Sequence, residues 1–266
     1  MSYMGLRMKL NSTLPLIFAS LGQMFIILSG DCDMGNGYSI ALVNVIVGVL
    51  LTGNPLVGIV GLLIFIAAYM GMAALIHLRN IPAIVVTLGA QFVWYGIALI
   101  ICPTPGGKCP ELISNILRIQ TPVVPLPIII AVLAGLLCWF ILYRSRYGMV
   151  MRGIGNNPNS VERSGWNYLT AKMTNYGMAG LMVVLAGMTF TASCNGADAN
   201  SSVNYCMLSI ATVILGGCEM AGGIVEPAGV VIAIIKSMIK DKKNGKSIQC
   251  GDDCKYCGGH CNHKHE

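Results

Sequence analysis

Charged side chains are the scarce component of this sequence. They make up 11% of its 266 residues, where a soluble domain carries about 25%, and that scarcity excludes an ordinary water-soluble globule. Two stretches, Ile119 to Tyr143 and Met173 to Ala197, hold no charge at all. Other absences narrow the function. The net charge is +6, yet the cations sit in loops and a tail, not in a stripe interleaved with aromatics, so no nucleic-acid partner is expected. No nucleophile and base stand together as a catalytic constellation. Gly245-Lys246-Ser247 echoes a phosphate loop, but Lys240 stands where the first glycine belongs and no buried strand precedes it. The chain is expected to be no enzyme and to have no ATP site of its own.

What is present is apolar sequence in membrane-length pieces. Hydrophobic residues make up 55%, and a helix needs about 20 of them in a row to cross a hydrocarbon core. Apolar windows run from Asn11 to Gly30, Gly37 to Thr52, Leu56 to Leu78, Pro82 to Cys102, Val123 to Leu142, Asn175 to Ser193, Tyr205 to Leu215 and Val225 to Ile239, the last holding Glu226 and Lys236. The fold expected is all-α, a polytopic transmembrane helical bundle of about eight membrane segments. Two of these, 37–52 and 205–215, are short or re-entrant. Residues 1–239 form this membrane domain and 240–266 a Lys- and Cys/His-rich tail. Abundant glycine (32 residues) fits close helix packing in lipid.

The basic stretch 143–174 fixes orientation. Arg144, Arg146, Arg152, Arg163 and Lys172 face only Glu162 there, which assigns it to the cytoplasm. Walking outward puts 103–122 outside and the His77–Asn80 corner inside. It also leaves Arg7 and Lys9 outside, against the usual bias; a further helix ahead of the first window is the explanation favoured. Lys236 to Lys246 argues for a cytoplasmic tail. Within the loop, Pro158 can open a short helix after an Asn157 cap, closed by Gly165.

Two polar, glycine-rich breaks interrupt the apolar windows. One is Gly30-Asp31-Cys32-Asp33-Met34-Gly35-Asn36-Gly37; the other is Gly216-Gly217-Cys218-Glu219-Met220-Ala221-Gly222-Gly223. Irregular backbone at membrane depth needs protein or a water-filled cavity around it, and paired breaks point to a transport pathway. Asp33 and Glu219 are both expected in the bundle or dimer interior, whereas Asp31 alone reads as an ordinary surface-loop residue. Cys194 and Cys206 are expected at outer loop ends, as are Cys102 and Cys109; Cys32, Cys138 and Cys218 read as packing residues.

These motifs resemble the membrane permease of ribose-type sugar ABC importers. Asp33 and Gly37, followed by Ser39-Ile40-Ala41-Leu42, match parts of that family's Gly-Gly-Ile-Asp-Leu-Ser-Val-Gly stretch and the helix after it. Arg79-Asn80-Ile81-Pro82 through Thr87-Leu88-Gly89 resembles a second family stretch, Gly153-Ile154-Gly155-Asn156-Asn157 with Ser164-Gly165 a third, and Leu208 through Gly217 a fourth. The chain departs at Met34-Gly35-Asn36 and at Ile224-Val225-Glu226, where the family has Leu-Ser-Val and Arg-Gly-Ser. Relative to the family it looks truncated at both ends.

The resemblance implies a multi-pass protein of the cell membrane that carries a monosaccharide. It implies a homodimer or paired permease in the lipid bilayer, working with an ABC ATPase subunit and an extracytoplasmic solute-binding protein. The ATPase-coupling residues would be Arg152, Gly153, Gly155, Asn156, Pro158, Glu162, Arg163 and Gly165. The translocation pathway or gate would be Asp33, Gly37, Thr87, Gly216, Gly217, Glu219, Gly222 and Gly223. Alternative readings are a permease for branched-chain amino acids or nucleosides, and a non-transporting paralogue.

The tail adds Cys250, Cys254, Cys257, Cys261, His263 and His265, with His260 among them. Thiolate and imidazole in that density could hold zinc, although the spacing matches no common finger and an inert polar tail is the competing reading. No other cofactor is expected.

Overall fold

The computed structural model describes residues 3–118 and 126–244, and its regular elements are helices. They are α1 (Tyr3–Leu28), α2 (Asn36–Val45) running on through a π-helical turn (Ile46–Leu51), α3 (Pro55–Arg79), α4 (Ala83–Ile101), α5 (Glu111–Arg118), α6 (Leu126–Arg144), α7 (Arg146–Asn156), α8 (Pro158–Arg163), α9 (Tyr168–Cys194), α10 (Tyr205–Leu215) and α11 (Pro227–Asn244). Among the described residues, five helices are long and apolar enough to cross a membrane: α1 from Leu10, α3, α4, α6 and α9. Three apolar helices are shorter, Asn36–Leu51, Tyr205–Leu215 and Pro227–Lys236. The expected all-α bundle of about eight segments is therefore present, with three short members instead of two.

Local chemistry sets the boundaries. Pro55 occupies the first turn of α3 after an extended Asn54, where its missing N–H costs nothing. Asn80 closes α3 in the left-handed conformation at φ 50°, and Pro82 starts the next segment. Asn195 ends α9 in the same way at φ 51°.

Helix α1 is the centre of the bundle: 83% of its membrane window is buried, against 33% for α3, 28% for α6 and 17% for α4. The reason is written in its side chains. Ser20 and Gln23 lie mid-span and are buried, a placement that lipid would penalise. By contrast Leu63 of α3, Phe92 of α4 and Leu133 of α6 are wholly apolar and exposed, as lipid-facing positions should be. Helix α9 lies antiparallel along α1, close because a Cβ on Gly22 would already stand 3.2 Å from Ala179 O. Pro15 sits inside α1 and cannot donate to Asn11 O; Ser193 Oγ of α9 fills that acceptor at 3.1 Å. This contact places the start of α1 beside the outer end of α9.

The direction of α11 runs against the expectation at Lys236, while Lys246 lies outside the described residues. Tyr143 OH donates to Val225 O (2.8 Å), and Gly135 sits against Val231, where a Cβ would meet Cγ2 at 3.2 Å. So α11 leaves the basic face and runs antiparallel to α6, carrying Lys236 away from the basic loop. Burial of Val230, Val231 and Ile234 sets this path over the charge bias. The tail cysteines and histidines, Cys250, Cys254, Cys257, Cys261, His263 and His265, lie outside the described residues, as do 119–125.

Candidate functional site

Two half-length helices begin at the same depth and diverge. Asn36, at the start of α2, donates from Nδ2 to Ala19 O (3.3 Å) and to Ser209 Oγ of α10 (3.1 Å). Ala19 lies midway along the α1 span, so Asn36 is at mid-depth. Ser202 Oγ donates to Gly37 O (2.9 Å) and Cys206 Sγ to Met34 O (3.0 Å). From this meeting point α2 rises to the outer face, where Gly48 touches Ala197. Helix α10 descends toward the basic face. The mid-depth partner of the 29–35 break is thus the run of turns and bends 195–204, while its Gly30 end meets the Gly216–Gly223 stretch. Cys206 lies inside this junction and not at an outer loop end with Cys194, whereas Cys32, Cys138 and Cys218 are buried as expected.

Thr87 of α4 stands beside the Cys32–Met34 segment that carries Asp33. Asp33 is 1% exposed; its Oδ1 accepts from Gly35 N (2.7 Å) and its Oδ2 from Tyr69 OH of α3 (2.8 Å). Tyr69 OH also lies 2.8 Å from Ser39 Oγ. Thr87 Oγ1 of α4 accepts from Met34 N (3.2 Å). Among the described residues no cation pairs with Asp33. The positive end of α2 instead stands over its carboxylate, the favourable place for an anion. Gly37 is required by space, since a Cβ there would stand 2.7 Å from Val203 O.

Gly216, Gly217, Glu219, Gly222 and Gly223 occupy the basic face. Gly223 N donates to Leu28 O (3.1 Å). A Cβ on Gly222 would lie 2.7 Å from Gly30 N and 3.0 Å from Gly155 Cα; one on Gly155 would lie 2.1 Å from Leu28 O. Three backbones meet there: the end of α1, the end of α7 and the α10–α11 turn. Glu219, expected in the interior with Asp33, is exposed on this chain. The α10–α11 turn ends at the surface of the described residues, which leaves the side chain outside the bundle.

The basic stretch is folded. Helix α7, read as loop from sequence, starts on a Ser145 cap that accepts from Tyr147 N (3.2 Å). Helix α8 begins at Pro158 as expected. It closes with Trp166 N donating to Val161 O (3.3 Å), Gly165 N to Glu162 O (3.0 Å), and Gly165 at φ 81°, the paired-bond glycine ending of a helix. Ile154, Val161 and Ala171 form a separate small core between α7, α8 and the start of α9. Glu162, Arg163 and Gly165 are exposed, as are Tyr147, Met149 and Trp166. Arg152 differs from Arg163: its guanidinium lies 4.5 Å from the centroid of the Tyr143 ring, bracing α7 against α6.

One ion pair joins this region to the first break. Lys172 Nζ, on the second turn of α9, is 2.8 Å from Asp31 Oδ2, and the two side chains are 6% and 13% exposed. Tyr176 OH donates to the same oxygen (2.9 Å), and Asn175 Nδ2 to Ser29 Oγ (2.6 Å). Asp31 is therefore no surface-loop residue. Sequence gave one usable signal for the pair, a lysine directly before the charge-free run Met173 to Ala197. Among the described residues no group of three His, Cys, Asp or Glu is arranged to hold a metal.

Comparison with known proteins follows from this geometry. Residues 6–244 match the family described as "Branched-chain amino acid transport system / permease component". The ribose import permease protein RbsC of Bacillus subtilis (strain 168) is 29% identical over 237 residues, covering 86% of this chain and 72% of the relative. The autoinducer 2 import system permease protein LsrD of Enterobacter sp. (strain 638) is 24% identical over 226 residues, 81% of this chain and 69% of the relative. The protein of the same name from Escherichia coli (strain SMS-3-5 / SECEC) is 26% identical, covering 87% and 74%. No solved structure matches.

Proposed function

Since the chain belongs to the family of transport-system permease components, we propose that it carries a ribose-like monosaccharide through the cell membrane, driven by a separate ABC ATPase and fed by an extracytoplasmic solute-binding protein. It is a multi-pass transport subunit, not an enzyme. The observation that carries the coupling assignment is the α7–α8 unit. A small core of Ile154, Val161 and Ala171 packs it together with the start of α9. Its outer surface presents Tyr147, Met149, Trp166 and Arg163, a mix of aromatic and basic groups suited to a protein groove. Its inner end, Gly155, is wedged between α1 and the α10–α11 turn. Force on the loop therefore reaches the breaks.

The substrate class rests on interior chemistry together with the ribose and autoinducer relatives. Ser20, Asn36, Ser39, Ser209 and Thr212 line the half-helix junction and are buried, offering hydroxyl and amide groups that can exchange hydrogen bonds with a hydroxylated solute. A zwitterionic amino acid, which the family's description would suggest, needs opposed charges, and among the described residues Asp33 has no cation opposite it. Uptake of labelled ribose and labelled leucine by cells holding the chain with its cognate ATPase and binding protein separates the two. Ribose uptake abolished on deletion of the chain supports the proposal; leucine uptake alone overturns it.

The dimeric state and zinc capture by Cys250, Cys254, Cys257, Cys261, His263 and His265 are separate proposals. Calorimetry of a peptide spanning 240–266 tests the second, with proton release on zinc uptake as the expected signature.

A further inference from the structure

We propose that Asp31 and Lys172 are a positioning pair, a latch that holds the basic-side end of the pathway closed and is released when the α7–α8 unit moves. The proposal rests on reading that unit as the ATPase-coupling element, and four features of the fold lead to it.

The first is place. Ala171 belongs to the small core with Ile154 and Val161, and Lys172 is its neighbour in sequence. Any shift of α7–α8 that carries Ala171 also carries the lysine. On the other side, Asp31 follows Gly30, whose backbone touches Gly222, and precedes Cys32 and Asp33. The pair thus bridges the moving body and the broken segment that reaches mid-depth.

The second is burial. Side chains 6% and 13% exposed have little water to replace the partner, so a half-separated pair is strongly disfavoured. Such a contact favours two discrete conditions, made or hydrated, over a graded one. A hydrated Asp31 requires water to enter at Cys32, which is an open basic-side end.

The third is a second seat for the lysine. Asn175 Oδ1 is buried and has no hydrogen-bond donor, while its Nδ2 is engaged with Ser29. It lies three residues beyond Lys172 on the same face of α9, within reach of a lysine ammonium. On leaving Asp31 the ammonium has an acceptor to turn to.

The fourth is that the closed state has two independent closures at this level. Gly223 N to Leu28 O and the Gly30–Gly155–Gly222 contact are main-chain packing. The ion pair is the component that charge substitution can remove without adding bulk.

Cys32 is a native reporter, buried and adjacent to Asp31; Cys138 of α6, fully buried away from the pair, is the control. The full-length chain in membranes, with no partner present, is treated with N-ethylmaleimide and labelling is read peptide by peptide. The readout is therefore independent of substrate and ATPase. Lys172→Met is expected to raise the labelling rate of Cys32 about tenfold and leave Cys138 unlabelled. The exchange Asp31→Lys with Lys172→Asp is expected to restore protection. Cys32 remaining protected in Lys172→Met overturns the latch. Labelling of Cys32 and Cys138 together shows a folding element instead and also overturns it, as does failure of the exchange to restore protection.

Discussion

At mid-depth, where α2 and α10 begin, the bundle is closed by side chains: Asn36 on Ser209, Ser202 on Gly37, Tyr69 on Asp33. At the basic face it is closed by main chain, with Gly30, Gly155, Gly222 and Gly223 in direct contact and one ion pair beside them. The difference concerns what each region can tolerate. A hydrogen-bonded junction loses one interaction at a time, about 1 kcal/mol for an ordinary pair. A junction of glycine backbones has no such increments, because the first added carbon already overlaps a neighbour. The mid-depth region can therefore vary in polarity and the basic face cannot vary in volume.

Gly155→Ala tests that contrast most severely. Its Cβ would stand 2.1 Å from Leu28 O and 2.4 Å from Gly223 N, both main chain, so α1 and the α10–α11 turn must separate. A cost at or above roughly 3 kcal/mol is expected, read as a large fall in the detergent-solubilised melting temperature. A neutral Gly155→Ala would end the comparison.

Asp33→Ala comes next. It leaves Gly35 N without its acceptor, at about 1–3 kcal/mol, and Tyr69 OH with Ser39 Oγ alone. Asp33→Asn keeps an acceptor for one of them and should fall between the wild type and alanine in the same melting assay. If asparagine destabilises more than alanine, acceptor loss is not the cause.

Asn36→Ala and Ser209→Ala should each cost about 1 kcal/mol. Because they share one contact, the double variant should cost less than the sum; strict additivity would show that the 3.1 Å contact carries no energy.

The smallest stability effect belongs to Arg163→Glu, an exposed change expected to leave melting within about 0.5 kcal/mol of wild type. Co-purification of the ATPase should nevertheless weaken. Arg152→Glu should instead lower the melting temperature, because Arg152 rests on Tyr143. Equal behaviour of the two arginines would erase the distinction between outer surface and internal brace.

How much of this could be read in the sequence depends on the range over which each feature is encoded. The long spans were legible because apolarity is a local property of twenty consecutive residues. Asp33 stood out as a carboxylate in a break between apolar windows, and Thr87 through the resemblance of its stretch to the permease family. Helix α8 was announced by Pro158 and Gly165. Helix α7 was not, because Gly148, Gly153 and Gly155 make its intrinsic helix propensity poor; packing of Met151 and Ile154 and the Ser145 cap hold it instead. The Asp31–Lys172 pair and the Asn36–Ser209 contact join residues far apart in sequence, and nothing local names the partner of either. Glu219 looked equivalent to Asp33 because both sit among glycines, but only the depth of the flanking helices separates a buried carboxylate from a surface one.

The π-helical turn of α2 has a bearing on how this chain can change length. Ile46–Leu51 is wound wider than an α-helix, and beyond it Thr52 Oγ1 holds Lys108 O (2.9 Å) while Lys108 N donates to Gly48 O (3.1 Å). A wide turn of this kind corresponds to one residue more than an α-helical turn would hold. Removing a single residue there would let α2 close into regular α-helix, with its buried half unmoved. The wider turn takes up the extra residue, so the segment past a deletion would keep its rotational phase, with Thr52 still directed at the outer loop. The segment acts as a phase adjuster, absorbing one residue so that the membrane interior and its external clasp stay in register.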